Sequence, residues 1–138
     1  ALSETLVRER SYEKAIEGFK KAVELAPKDL KGHFGLAATL NESGRYREAL
    51  DAAQAALLVD QQNSEIHYQA GLALNNLKKY PEAIRILGKT LELAKDHIEA
   101  HYHLALSHEA TVFQVFTAGA DKDAWLLLGP ITVHFNIL

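Results

Sequence analysis

LKGHFGLAATLNESGRYREALDAAQAALLVDQQN, residues 30–63, recurs in outline on both sides of itself. Gly44-Arg45-Tyr46-Arg47-Glu48-Ala49-Leu50 aligns with Arg10-Ser11-Tyr12-Glu13-Lys14-Ala15-Ile16 before it and with Lys78-Lys79-Tyr80-Pro81-Glu82-Ala83-Ile84 after it. Tyr12, Tyr46 and Tyr80 are one place seen three times at intervals of 34 residues, and so are Ala15, Ala49 and Ala83. His33, His67 and His101 form a further series. A fixed period of this length marks an array of stacked units, none of which can bury its apolar face alone. It divides the chain into a partial unit at 1–29, whole units at 30–63 and 64–97, the first helix of another at 98–111, and a tail at 112–138.

Each unit reads as two helices. In the central one, His33, Leu36, Ala37 and Leu40 mark one face of a helix over 30–43, which Gly44 ends by supplying a positive φ. Ala49, Leu50, Ala53, Ala56, Leu57 and Val59 mark the buried stripe of a second helix over 45–59. The next unit repeats this at 64–77, with Ser64 as its cap, and at 80–95, with Pro81 in the first turn where no N–H is needed. In the partial unit, residues 1–9 read as the back of one helix. Arg10-Ser11 is a tight connection with Ser11 as N-cap, and a helix over 12–26 buries Ala15, Ile16, Phe19, Ala22, Val23 and Leu25. Small residues have a geometric use, since Ala37, Gly71, Ala49 and Ala83 fall where helix axes approach to about 8–10 Å.

These aromatic, Gly and Ala places resemble the tetratricopeptide repeat family over residues 1–111. The first unit carries Ala15, Phe19, Ala22 and Pro27, and the second Leu36, Ala37, Ala49, Ala53 and Ala56. The third carries Gly71, Leu74, Ala83 and Leu87, and in the fourth His101, Leu104, Ala105 and His108 take the Trp, Leu, Gly and Tyr places. The resemblance implies an all-α fold, a right-handed α-solenoid of stacked antiparallel helix pairs. The tail departs from it. Residues 112–119 match nothing upstream, a short apolar helix is expected near 122–128, and residues 131–138 alternate as a strand would. Two readings stand for this tail: a divergent cap over the last repeat, or a segment foreign to the array. An uncovered Trp125-Leu126-Leu127-Leu128 would promote association.

Composition narrows the function. A net charge of −3 gives no footprint for nucleic acid. No apolar run reaches the roughly 20 residues a membrane span needs, and no targeting pattern is present, so the expected compartment is the cytoplasm. With no cysteine, disulfides and thiolate metal sites are excluded. The absence of methionine at position 1 points to an excerpt or a processed end. His97, His101 and His108 share one helical face, but the row with His33 and His67 follows the repeat, which spaces successive rings about 10 Å apart and favours packing over metal. No nucleophile–base set or phosphate-cradling loop stands out, so neither catalysis nor a cofactor is expected.

What the resemblance does imply is a concave groove lined by the first helix of each unit, receiving a peptide or helix. Its places fall on Lys31, Phe34, Ala38, Asn41 and Glu42, on Glu65, Tyr68, Leu72, Asn75 and Asn76, and on Glu99, Tyr102, Leu106 and Glu109. Phe34, Tyr68 and Tyr102 would form an aromatic ladder, and the repeated Asn41 and Asn75 would hold a ligand backbone through their amides. The places where some family members clamp a C-terminal carboxylate carry Phe34, Ala38, Gln69, Glu99 and His103, so that clamp is absent here. The expected partner is a protein or peptide with an apolar or amphipathic segment, bound by a non-catalytic scaffold. The alternative is a self-assembly module that forms a homo-oligomer through its ends or its tail.

Overall fold

A computed structural model describes residues 2–117. Among these residues the chain is all helix: α1 (Leu2–Leu25), α2 (Leu30–Glu42), α3 (Tyr46–Val59), α4 (Ser64–Asn76), α5 (Tyr80–Leu93) and α6 (Ile98–Thr117). The helix and strand expected near 122–128 and 131–138 lie outside the described residues. Each helix packs on its sequence neighbours, α2 also touches α4, and α4 touches α6. The pairs α1/α3 and α3/α5 make no comparable contact. The array therefore has two layers, and the inner one, α2, α4 and α6, is drawn together on the concave side. This is the helical solenoid that the period demands.

The starts and stops of the helices repeat with the period. Asp29 accepts from the Lys31 N–H at 3.0 Å, Asn63 from the Ile66 N–H at 3.1 Å, and His97 Nδ1 from the Ala100 N–H at 3.2 Å. Three different side chains thus cap the three inner helices at one place, satisfying amides that have no partner within the helix. Ser64, expected as a cap, is instead the first residue of α4, one position inside Asn63. At the other end, the Arg45 N–H reaches the Leu40 carbonyl and the Gly44 N–H reaches the Asn41 carbonyl, at 2.8 and 3.1 Å. Lys79 to Leu74 and Lys78 to Asn75 repeat this at 2.9 and 3.0 Å. Both are Schellman closures, and each needs a left-handed residue: Gly44 at φ +83° and Lys78 at φ +64°.

The first unit does not turn. Arg10 stands where Gly44 and Lys78 stand, yet α1 runs through it unbroken, and Ser11 Oγ bonds the Val7 carbonyl at 3.0 Å instead of capping a helix. Nothing in Arg8-Glu9-Arg10 opposes a helix. Lys78 is also a poor turn residue, but there α4 packs along α5 and imposes the turn. α6 likewise continues past residue 111 to Thr117 rather than stopping at Val112.

The core is narrow and rich in alanine. Ala37, Ala49, Ala53, Ala56, Ala73 and Ala83 are fully buried, with Ile16, Leu40, Ile66 and Leu87 filling the gaps. Truncating Ile66 or Leu87 to Ala would cost about 2–5 kcal/mol. Two glycines set the helix approach. A Cβ on Gly35 would lie 2.3 Å from the Phe19 ring, and one on Gly71 would lie 2.7 Å from Leu87 Cδ2. Burial fades at helix ends, where Leu25 and Val59 are 76% and 40% exposed and Ala22 is exposed, against the expectation that these were core. On the surface, Arg45 donates to both Glu48 oxygens at 3.0 and 2.7 Å and to Glu13 at 3.0 Å, joining the first unit to the second. Its hydrogen bonds hold the Glu48 carboxyl below the usual carboxylate range.

Candidate peptide-binding face

The inner layer presents most of the residues expected to line a groove. Phe34 and Tyr102 are 36% and 62% exposed, while Ala38, Tyr68, Leu72, Asn75 and Leu106 are half-buried. Lys31, Glu42, Glu65, Asn76, Glu99 and Glu109 reach solvent. Asn75, Asn76, Leu106 and Glu109 meet around one open cleft of about 520 Å³, together with Lys78, Tyr80 and Phe113. Lys31 and Phe34 meet Glu65 and Ile66 around a second of about 240 Å³.

Asn41 is not among them. It is 6% exposed, and its Nδ2 donates to the Gln69 carbonyl at 3.0 Å and to Gln69 Oε1 at 2.9 Å. Its partner in the repeat, Asn75, accepts from Ser107 Oγ at 3.1 Å. Both amides expected to grip a ligand backbone are therefore used between neighbouring inner helices. Asn41 is a staple, and Asn75 reaches the cleft only in part.

The aromatic ladder also differs from expectation. Among the described residues Phe34 makes no ring contact, and Tyr68 and Tyr102 are joined through His103. Tyr68 lies 4.6 Å from the His97 ring and 5.9 Å from the His103 ring, and Tyr102 meets His103 edge-on at 5.3 Å. Burial raises the Tyr68 phenol above the ordinary tyrosine value, and the Glu99 and Glu65 charges add to the shift. Burial lowers His103, with Glu99 opposing, so His103 holds to its neutral form. The Glu65–His97–Glu99 neighbourhood was not legible as a site. One signal was present: positions 29, 63 and 97 share a place in the repeat, so His97 was readable as a cap.

The periodic histidines have a different use. His33 Nε2 donates to the Pro27 carbonyl at 2.7 Å, His67 to Gln61 at 2.8 Å and His101 to Lys95 at 2.9 Å. Each ring latches the linker before its helix, an interaction within the joint rather than simple packing between helices. Among the described residues no group of three or more side chains is placed to hold a metal ion. No helix among them is long and apolar enough to cross a membrane.

Residues 6–74, half of the chain, match the tetratricopeptide repeat family, and a second match to a tetratricopeptide repeat covers residues 64–97. No curated protein matches the chain. Among solved structures, the Arabidopsis OM64 TPR domain is similar at 20% identity and a TM-score of 0.69, over 77% of this chain and 88% of that one. The second TPR domain of human RPAP3, in complex with the HSP70 peptide SGPTIEEVD, is similar at 23% identity and a TM-score of 0.68, over 75% and 87%. The first TPR of Spaghetti (RPAP3), bound to the HSP90 peptide SRMEEVD, is similar at 19% identity and a TM-score of 0.71, over 79% and 86%. Sequence period, paired helices and family match agree, and the chain belongs to the tetratricopeptide repeat family.

Proposed function

We propose that the chain is a non-catalytic interaction scaffold that holds a peptide or helix of a partner protein along α2, α4 and α6. The observation that carries this is the exposure of Phe34 and Tyr102 on the concave layer, beside half-buried Leu72 and Leu106. Large apolar side chains left accessible in a concavity are typical anchors for a docked segment. The two RPAP3 neighbours hold short peptides, which supports the same use of this face. The test is a peptide selection against the whole chain, repeated with the Phe34→Ala, Tyr102→Ala double variant. Loss of binding at unchanged helical circular dichroism is expected. Selected peptides that bind the variant as well as the parent would refute the assignment.

A second reading, self-association, draws on α1, where Leu6 and Val7 are 51% and 64% exposed. Sedimentation of the chain with Leu6→Ser and Val7→Ser separates the two. A concentration-dependent dimer that dissociates in this variant would favour assembly, and a monomer throughout would remove it.

A further inference from the structure

The concave face carries a charge pattern opposite to what an acidic peptide needs. Glu65 Oε1 lies 3.2 Å from His97 Nε2, and Glu99 Oε2 lies 3.4 Å from His97 Nδ1, so two carboxylates flank a single imidazole. Its Nδ1 also accepts the Ala100 N–H at 3.2 Å as the cap of α6, so the ring is shared between the helix amide and the two carboxylates. Its Nε2, on a side chain only 7% exposed, has no hydrogen-bond partner among the described residues. No Lys or Arg among the described residues pairs with either carboxylate, although both side chains are more than half exposed. An open cleft of about 430 Å³ is lined by both, and its rim carries Glu65, Asp96 and Glu99 against Lys95. Tyr68 packs tilted against the same imidazole and feels both charges.

Two carboxylates without a Lys or Arg partner among the described residues, beside the half-buried Tyr68 ring, attract an organic cation. The carboxylates supply charge and hydrogen-bond acceptors, and the ring faces supply cation–π attraction. Building on the concave-face reading, we infer that the segment held on this face is basic, and that one of its lysine or arginine side chains lies between Glu65 and Glu99 beside Tyr68. The neighbours' peptides end in EEVD, so this face selects the opposite sign of partner.

The experiment uses a random twelve-residue display library against the whole chain at about 0.1 M salt, where charges within roughly 10 Å still interact. The acidic peptide SGPTIEEVD serves as a comparison. Selected sequences are expected to be enriched in Lys and Arg. Replacing the key basic residue by Gln, or using the Glu65→Gln, Glu99→Gln variant, should weaken binding about tenfold, and SGPTIEEVD should not compete. Both glutamates are solvent-facing, so circular dichroism of this variant should match the parent. Peptides that need Phe34 and Tyr102 but are indifferent to charge and to both glutamates would overturn the inference and leave the concave-face reading standing. Peptides indifferent to Phe34 and Tyr102, or a library that yields no binder, would overturn both.

Discussion

Asn41→Ala separates a staple from a ligand contact. The native amide makes two hydrogen bonds to Gln69, at 3.0 and 2.9 Å, across a contact that is 6% exposed on one side and 8% on the other. Each neutral hydrogen bond contributes about 0.5–1.5 kcal/mol net, which sets an upper bound near 3 kcal/mol. Two features lower it. The Gln69 carbonyl lies inside α4, where the helical ladder already uses it, so only Gln69 Oε1 is orphaned. Asn41 Oδ1 is itself buried without a partner, and its removal relieves that desolvation. The expected loss is therefore about 1–2 kcal/mol, read as a lower urea midpoint at constant m-value. The Asn41→Ala, Gln69→Ala double variant should cost little more than either single one, since both remove the same interaction. Unchanged stability with lost peptide binding would refute the staple and restore Asn41 as a ligand contact. Additive losses would show that the two residues act separately.

Lys78→Gly should raise stability by about 0.5–1 kcal/mol, because φ +64° strains a side chain that glycine lacks; a lower melting temperature would show that Lys78 contributes something the turn needs. Gly71→Ala should cost roughly 1–3 kcal/mol as its Cβ meets Leu87 at 2.7 Å, and Gly35→Ala should cost more, since the Phe19 ring it meets at 2.3 Å is rigid; equal stability in chemical denaturation would refute the close approach. His103 should titrate by NMR below the ordinary imidazole value of 6.5, because burial disfavours its charge. Its folded pKa is depressed, so its contribution is present above pH 6.5 and is lost as pH falls through the folded value; His103→Gln should flatten that part of the pH–stability profile, and a midpoint at or above 6.5 would contradict the burial argument.

The repeat was legible because its signals are local and redundant. Gly44, the alanine places and the apolar stripes each report on their own turn of helix, and three copies in register leave little freedom. What failed depends on partners distant in sequence. Whether Arg10 turns like Lys78 is decided by the helix packed alongside, which local propensity does not contain. Asn41 occupies a groove place, yet its amide is claimed by Gln69, 28 residues on. His97 looked like part of a histidine row because its cap role appears only when Asp29 and Asn63 are compared with it place by place. Phe34, Tyr102, Leu106 and Glu109, read as groove places, lie at least partly open to solvent on the inner layer, but the charge pattern proposed for that face emerged only with the carboxylates set around one ring.

The histidine latches also govern shape. Each closes a six-residue span from the linker carbonyl to the ring, at Pro27–His33, Gln61–His67 and Lys95–His101, so the joint between consecutive units is a strut rather than a free hinge. Three like struts hold the three joints in one arrangement, which favours the same bend at each. One residue inserted between Gln61 and His67 would break a single strut and kink the rod there while both flanking units stayed folded. The curvature available to a partner is thus written at the joints, away from the surface the partner would touch.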